Sequence, residues 1–149
     1  MFARTSKTLI AAAMTALATA SLAGTASAQE DNLSVELTGL QASEGQLFVS
    51  VQSEGEYKKQ RGSAGGVFKV EAAGDQTFTF AVAAGTYAVS IWHDIDNDGQ
   101  FSMDENWIPT DGWGMSGTPS SDKEPTFDET KITVAASGTS VRIPMVYRN

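Results

Sequence analysis

The sequence contains no cysteine, one histidine and only ten lysines and arginines among its 149 residues. Without cysteine the chain can form no disulfide, no catalytic thiolate and no Cys-ligated metal site. The ten basic residues are outnumbered by 18 aspartates and glutamates, which gives a formal net charge of −8. Because recognition of a phosphate backbone requires a basic surface, we expect this acidic protein to bind no nucleic acid.

The most apolar stretch of the chain lies at the N-terminus. It has a positive start, an apolar middle and a small-residue cleavage site: Arg4 and Lys7, residues 9–22, and Ala26-Ser27-Ala28. We therefore expect residues 1–28 to be a signal peptide and residues 29–149 to form one mature domain, either periplasmic or secreted from the cell. No later run approaches the roughly 18 apolar residues that span a bilayer, so membrane insertion after cleavage is not expected.

The mature domain shows the period-two alternation of half-buried strands and no long amphipathic helical pattern. Seven stretches carry the alternation: residues 33–37, 47–51, 68–70, 78–82, 87–93, 132–134 and 141–145. Turn residues at Glu44-Gly45, Gly74-Asp75 and Ser137-Gly138 indicate three hairpins. Pro144 cannot donate to a strand ladder, which predicts that the last strand lies at an edge or carries a bulge. The pattern predicts an all-β fold, a single antiparallel β-sandwich of immunoglobulin-like or transthyretin-like build.

Residues 95–129 show no strand pattern, and a connection of this length is usually functional or disordered. The segment contains Trp107 and Trp113, and aromatic residues are scarce in disordered chains, so we expect it to be ordered. Within it, Gly112-Trp113-Gly114 is interpreted as a tight turn around an aromatic side chain. A second interruption, polar and rich in glycine, spans residues 53–65.

The start of the long connection matches the calcium-loop pattern D-x-[DN]-x-[DN]-G-x5-E at every specified position of residues 94–105. Carboxylates at alternate residues can converge on one cation, and Gly99 permits the sharp reversal that this requires. The expected oxygen ligands come from six residues: Asp94, Asp96, Asp98, Gln100, Ser102 and Glu105. No helical pattern flanks the loop, so it is calcium-like in its ligands without the architecture of an EF-hand.

A second interpretation of the same loop needs no metal. Asp98-Gly99 would then be an ordinary solvated turn, with the other aspartates hydrogen-bonded to their own backbone. The metal site is favoured because the full pattern, including the terminal Glu105, arises by chance less often than an Asp-Gly turn. Calcium, bound for structural reasons, is therefore the expected cofactor.

His93 directly precedes the acidic loop and is the only histidine. Strand parity places it on the same face as Val89 and Ile91, which predicts a partly buried residue that hydrogen-bonds the loop rather than a catalyst. Residues 114–118 lack the final glycine of a G-x-S-x-G nucleophile elbow, and the sequence has neither an H-E-x-x-H motif nor a phosphate loop. We expect a binding or accessory protein and no enzyme.

Three tryptophans, Trp92, Trp107 and Trp113, bracket the acidic loop. They can form a surface for a sugar or a peptide, since indole is a flat amphipathic group. They can also pack beneath the long connection, which is favoured because an ordered segment of that length must bury apolar area. The solvent accessibility of the three indoles separates these alternatives. The partner is expected to be an unidentified protein or glycan, and the protein to be a monomer.

Taken together, these motifs resemble the exported bacterial family catalogued as domain of unknown function 2141. The resemblance covers most of the mature chain and rests on VELTGL (35–40), GQLFV (45–49), GTYAV (85–89), HDIDNDG (93–99), IP (108–109), GWGMS (112–116) and PTFD (125–128). It implies a small exported β-sandwich, and it implies no activity because the family has no assigned function. The sequence departs from the usual family pattern at Trp107, and at Asp96 and Glu105, which make the loop more acidic.

Overall fold

The computed structural model describes residues 29–41 and 44–148. The predicted signal peptide, residues 1–28, lies outside this part of the chain. A 3-10 helix at Glu54–Glu56 and one helical turn, α1 at Phe127–Thr130, accompany the strands. The eight described strands are β1 (Leu33–Leu40), β2 (Gln46–Gln52), β3 (Ala64–Lys69), β4 (Gly74–Phe80), β5 (Gly85–Asp94), β6 (Gly112–Met115), β7 (Lys131–Val134) and β8 (Thr139–Pro144).

The strands form two facing sheets. The first has the order β4-β1-β8, and the second has the order β3-β2-β5-β6, with β7 also paired to β5. β8 runs parallel to β1, and every other described strand pair is antiparallel. The all-β sandwich expected from the sequence is thus confirmed.

The three hairpins predicted from turn residues are wrong. β1 and β2 lie in different sheets, as do β3 and β4, and β7 and β8. Each turn therefore carries the chain across the sandwich instead of joining neighbours within one sheet. The reason is that both flanking strands direct apolar residues into the same core, and a period-two pattern fits facing strands as well as paired strands. The turn residues mark the reversal and do not determine the partner.

The long segment predicted to lack strands contains β6, and Gly112-Trp113-Gly114 belongs to that strand rather than to a tight turn. A Cβ at Gly112 would lie 2.2 Å from a ring carbon of Tyr147, and one at Gly114 would lie 2.9 Å from Cγ2 of Ile143. Only glycine fits where β6 approaches these side chains so closely. The two glycines remove the apolar alternation, which hides the strand from a search for that pattern.

The core fills the space between the sheets. Its fully buried apolar members include Leu33, Val35, Leu37, Leu47, Val51, Val89, Val134 and Ile143.

His93 is the last of the β5 residues that point into the core, on the face that strand parity predicted. It is completely buried rather than partly buried. Pro144 ends β8, which is an edge strand as predicted. Within the described residues, no helix has the length and hydropathy needed to cross a membrane.

Candidate ligand groove and acidic loop

The acidic loop begins at the end of β5, where Asp94 is only 2% exposed. Asp94 Oδ1 accepts the backbone N–H of Asp98 at 3.2 Å, and Asp94 Oδ2 accepts that of Gly99 at 3.0 Å. Asp96 Oδ1 accepts the same Asp98 N–H at 3.2 Å. Asn97 and Gly99 have positive φ angles of 58° and 74°, so the chain reverses sharply here, as expected for Gly99.

Asp111 closes the loop immediately before β6 and is 3% exposed. Its Oδ1 accepts the N–H of Ile95 at 3.4 Å, and its Oδ2 accepts the indole N–H of Trp92 at 2.8 Å and the backbone N–H of Ser102 at 3.1 Å. One carboxylate therefore ties together the start of the loop, its middle and strand β5. Such N–H donors, which also surround Asp94, offset the cost of removing negative charge from water.

The loop brings two of the predicted metal ligands, Asp94 and Asp96, together with Asp111, which the sequence patterns did not select. One oxygen from each of the three side chains lies within 4.8 Å of the others. Asp111 falls outside the twelve-residue pattern that predicted the site, and its approach depends on the pairing of β5 with β6. The sequence gives only one indication of its role: Asp111 is an acidic residue directly before a segment without other charges.

Within the described residues, two of the other predicted ligands, the carboxylates of Asp98 and Glu105, do not join this group of three. The Asp98 carboxylate accepts the N–H of Gln100 at 2.8 Å and the hydroxyl of Ser102 at 3.5 Å. Glu105 is exposed and lies on the following turn. A cation held by all the predicted carboxylates would require the side chains of Asp98 and Glu105 to turn toward Asp94.

His93 lies on the core side of the sheet, with its Nδ1 2.8 Å from the hydroxyl of Tyr147. Burial lowers the pKa of His93, although the carboxylates of Asp111 and Asp94 act in the opposite direction. Burial also raises the pKa of Tyr147. Both groups are therefore neutral at pH 7.

The outer face of the second sheet carries a groove of about 930 Å³. An aromatic row crosses its floor on β2, β5 and β6, formed by the register-paired residues Phe48, Trp92 and Trp113. The next row on the same face is formed by Ser50, Ser90 and Met115. Because alternate strand residues point to the same side, the floor is aromatic in one row and bears hydroxyl groups in the next.

Trp92 is packed into the floor of the groove. Phe48 stacks on its ring with 4.4 Å between centroids and an interplanar angle of 19°. Phe101 packs against it in an edge geometry at 6.2 Å, and the indole N–H is bound to Asp111. Trp92 is therefore part of an aromatic cluster, in which Phe48 covers one face of its ring and Asp111 binds its N–H.

Trp107 is presented to solvent at one rim of the groove. It is 82% exposed and has a φ angle of 62°, in the left-handed region that bulky side chains rarely adopt. Asp104 Oδ1 accepts the N–H groups of Asn106 at 2.8 Å and Ile108 at 3.0 Å, on either side of Trp107. The hydrogen bond from Ile108 holds the pKa of Asp104 below its usual range. Arg148 pairs with the other Asp104 oxygen at 2.9 Å.

The opposite rim is polar and is formed by residues 120–125. Tyr57 donates its hydroxyl to the carbonyl of Pro125 at 3.1 Å, and Lys58 pairs with Glu124 at 2.9 Å. The segment around the 3-10 helix, which was predicted only as a polar interruption, thus braces this rim.

Glu129 in α1 provides a second brace for the polar rim. Its carboxylate accepts the Ser120 hydroxyl and the Thr126 backbone N–H, the latter at 2.8 Å, and it pairs with Lys123 at 3.2 Å. The Ser120 hydrogen bond, followed by that from Thr126, lowers the pKa of Glu129 to about 2. Glu129 is therefore ionised throughout the neutral range and holds the rim in place.

The fold and the site define a small all-β sandwich with an aromatic groove on one outer face and an acidic loop beside it. The chain belongs to the family described as "Uncharacterized protein conserved in bacteria (DUF2141)", which matches residues 35–142. The family resemblance of the sequence is thus confirmed. No curated protein and no solved structure matches the chain significantly. The family description names no activity, so the geometry of the groove and loop is the basis for assigning a function.

Proposed function

We propose that this protein binds carbohydrate and that the sugar lies in the aromatic groove. The observation that carries the proposal is the 82% exposure of Trp107 at the rim, because an indole held there can stack on a sugar ring without rearrangement. Trp113 lies half-buried on the floor and offers a second aromatic surface. Sugars present apolar C–H faces and polar hydroxyl edges, so their sites need both kinds of partner.

The polar partners for such a ligand lie on the floor and on the opposite rim. The groove is lined by the hydroxyl groups of Ser50, Ser90, Ser120 and Ser121, and by the charged side chains of Asp122, Lys123 and Glu124. A sugar ring stacked on Trp107 or Trp113 would therefore have hydrogen-bonding groups within the same groove.

A peptide is less well supported as the ligand. Peptides commonly bind sheets by adding a strand to a free edge. β2 and β5 are each paired on both sides, and β6 is bridged by Val146, which exchanges two backbone hydrogen bonds with Trp113 at 3.0 Å and 2.7 Å. An extended peptide in the groove would make side-chain contacts only, and its backbone groups would lack strand partners.

The proposed role is binding without catalysis. His93, the only histidine, is completely buried on the core side of the sheet and does not line the groove.

The three tryptophans have different roles in the proposed site. Trp92 supports the floor, because Phe48 and Phe101 pack against its ring. We therefore assign ligand stacking to the other two tryptophans.

Titration of the mature protein with cellohexaose, chitohexaose and hexagalacturonate, followed by calorimetry and tryptophan fluorescence, tests this function. We expect saturable binding of at least one sugar and an affinity about tenfold lower in Trp107→Ala, since loss of a ring contact costs about 1.5 kcal/mol. Val67→Ala, which removes an exposed apolar side chain from β3, is the matched control. Failure of all three sugars to bind, or an unchanged affinity in Trp107→Ala, would refute the proposal.

We also propose that the acidic loop binds calcium for a structural purpose. The observation in favour is that oxygens from Asp94, Asp96 and Asp111 lie within 4.8 Å of one another. Ligands on opposite sides of one calcium ion are about 5 Å apart, since each Ca–O distance is about 2.4 Å. The three carboxylates can thus share one cation after small adjustments. The cation would order the segment that carries Phe101 and Trp107 to the groove. Melting of the protein with calcium and with EDTA tests this role.

A further inference from the structure

The C-terminal segment, residues 145–148, contacts the backbone of one groove tryptophan and the turn that carries the other. Val146 forms an antiparallel bridge with Trp113, in which Trp113 donates at 3.0 Å and Val146 donates at 2.7 Å. Two residues later, Arg148 Nη1 lies 2.9 Å from Asp104 Oδ2. One short segment therefore contacts both the floor of the groove, at Trp113, and the rim that carries Trp107.

The contact of Arg148 reaches Trp107 through the Asp104 carboxylate. Oδ2 of that carboxylate pairs with Arg148, while Oδ1 accepts the two backbone N–H groups that flank Trp107 in the turn. Both oxygens of the Asp104 carboxylate are therefore engaged, one by the ion pair and the other by the two N–H groups. Since Trp107 has a positive φ angle, its backbone depends on such bonds to remain in the left-handed region.

The centre of the segment is anchored in the interior of the protein. The Tyr147 hydroxyl lies 2.8 Å from His93 Nδ1 and accepts the backbone N–H of Gln41 at 3.3 Å. Its ring occupies the space beside Gly112, where a Cβ would lie 2.2 Å from a ring carbon. The residues on either side of Tyr147 are therefore held at a fixed position relative to β6.

We propose that residues 145–148 set the position of Trp107 relative to Trp113, and that Arg148 is a positioning residue for the groove. Arg148 orders the Trp107 turn through Asp104, and Val146 holds the backbone of Trp113. The effect on ligand affinity rests on the carbohydrate function proposed above. The ordering of Trp107 is a property of the unliganded protein and does not depend on that function.

Fluorine NMR of protein labelled with 5-fluorotryptophan measures the ordering directly. The three resonances are assigned with single Trp→Phe variants. In Arg148→Ala and in Asp104→Asn, we expect the Trp107 resonance to narrow because the turn that carries the indole becomes more mobile. Arg148→Lys should restore the wild-type linewidth. The control is Arg142→Ala, which breaks the ion pair with Glu36 at 3.0 Å on the first sheet. A melting temperature of Arg148→Ala close to that of Arg142→Ala establishes that the sandwich remains folded.

Titration with cellohexaose, chitohexaose and hexagalacturonate adds a second measurement on the same variants. We expect Arg148→Ala to weaken binding about three- to fivefold, the scale for loss of one partly exposed ion pair, while Arg148→Lys and Arg142→Ala bind as wild type. If no sugar binds, the carbohydrate function is wrong, and the Trp107 resonance still decides the role of Arg148. A Trp107 resonance unchanged in Arg148→Ala, or changed equally in Arg142→Ala, would overturn the positioning role.

Discussion

The indole N–H of Trp92 donates a 2.8 Å hydrogen bond to the carboxylate of Asp111, and this bond joins the floor of the groove to the acidic loop. The same carboxylate accepts the backbone N–H groups of Ile95 and Ser102. Groove and loop are therefore one structural unit, because a single buried side chain holds both. A substitution in the loop should therefore alter the packing of the aromatic floor, and a substitution in the floor should alter the loop.

Asp111→Ala is expected to lower the free energy of unfolding by about 1 to 3 kcal/mol, because it leaves the partly buried N–H donors of Trp92, Ile95 and Ser102 without their acceptor. Urea denaturation measures the change. Asp122→Ala, at an exposed position on the polar rim, should alter stability by less than about 0.5 kcal/mol. Equal stability of the two variants would mean that the Asp111 bonds contribute nothing to the fold.

Calcium should raise the melting temperature by roughly ten degrees at a hundredfold excess over Kd, since mass action then adds about 2.7 kcal/mol. Magnesium should do less because it demands a tighter octahedron. Asp96→Asn should abolish the rise, because Asp96 is one of the three clustered carboxylates, whereas Glu105→Gln should keep it. Both side chains are exposed, so neither variant should disturb the core.

This pair of variants separates the two ligand sets. The twelve-residue sequence pattern requires both Asp96 and Glu105, and the clustered set requires Asp96 and Asp111. Loss of the calcium effect in both variants would favour the pattern. Identical melting curves with millimolar calcium and with EDTA would mean that the loop is a solvated acidic turn that binds no calcium.

The alternation of apolar residues was sufficient to predict the sandwich but not its connections. Val35 and Val49 both point into the core, yet β1 and β2 lie in opposite sheets. Strand pairing is decided by contacts between residues distant in the chain, such as Leu33 with Phe80, and a local pattern carries no information about them. β6 was missed because Gly112 and Gly114 leave no apolar alternation.

The candidate site was predictable where its residues are close in sequence. Asp94 and Asp96 follow from the spacing of the acidic loop, while Asp111 joins them only through the pairing of β5 and β6. The sequence placed the three tryptophans beside the acidic loop, but it could not predict which of them are exposed to solvent. Trp92 packs against Phe48 from another strand, and Trp107 lies exposed on a turn whose flanking N–H groups are bound to Asp104.

Gly112→Ala should be strongly destabilising, by about 1 to 3 kcal/mol, because its Cβ would lie 2.2 Å from the packed ring of Tyr147. Gly55→Ala is the matched control, since its Cβ would meet nothing within 4 Å. That variant should be neutral or slightly stabilising, because alanine restricts the unfolded chain. Thermal denaturation compares the two. A neutral Gly112→Ala would show that the Tyr147 ring can move aside without cost.

The hydrogen bonds to Glu129 should make the stability of the polar rim dependent on pH in the acidic range. The Ser120 hydroxyl and the Thr126 amide lower the pKa of Glu129 from 4.5 to about 2, so the folded state favours the ionised carboxylate. The stabilisation is therefore complete above pH 4.5 and is lost as the pH falls through about 2.

Carbon-13 NMR of the Glu129 carboxyl should give a titration midpoint near 2, and Ser120→Ala should move this midpoint toward 4.5. Glu129→Gln should be less stable than wild type at pH 7 and should approach it below pH 2 in urea denaturation. A wild-type midpoint near 4.5 would mean that these bonds do not hold the rim.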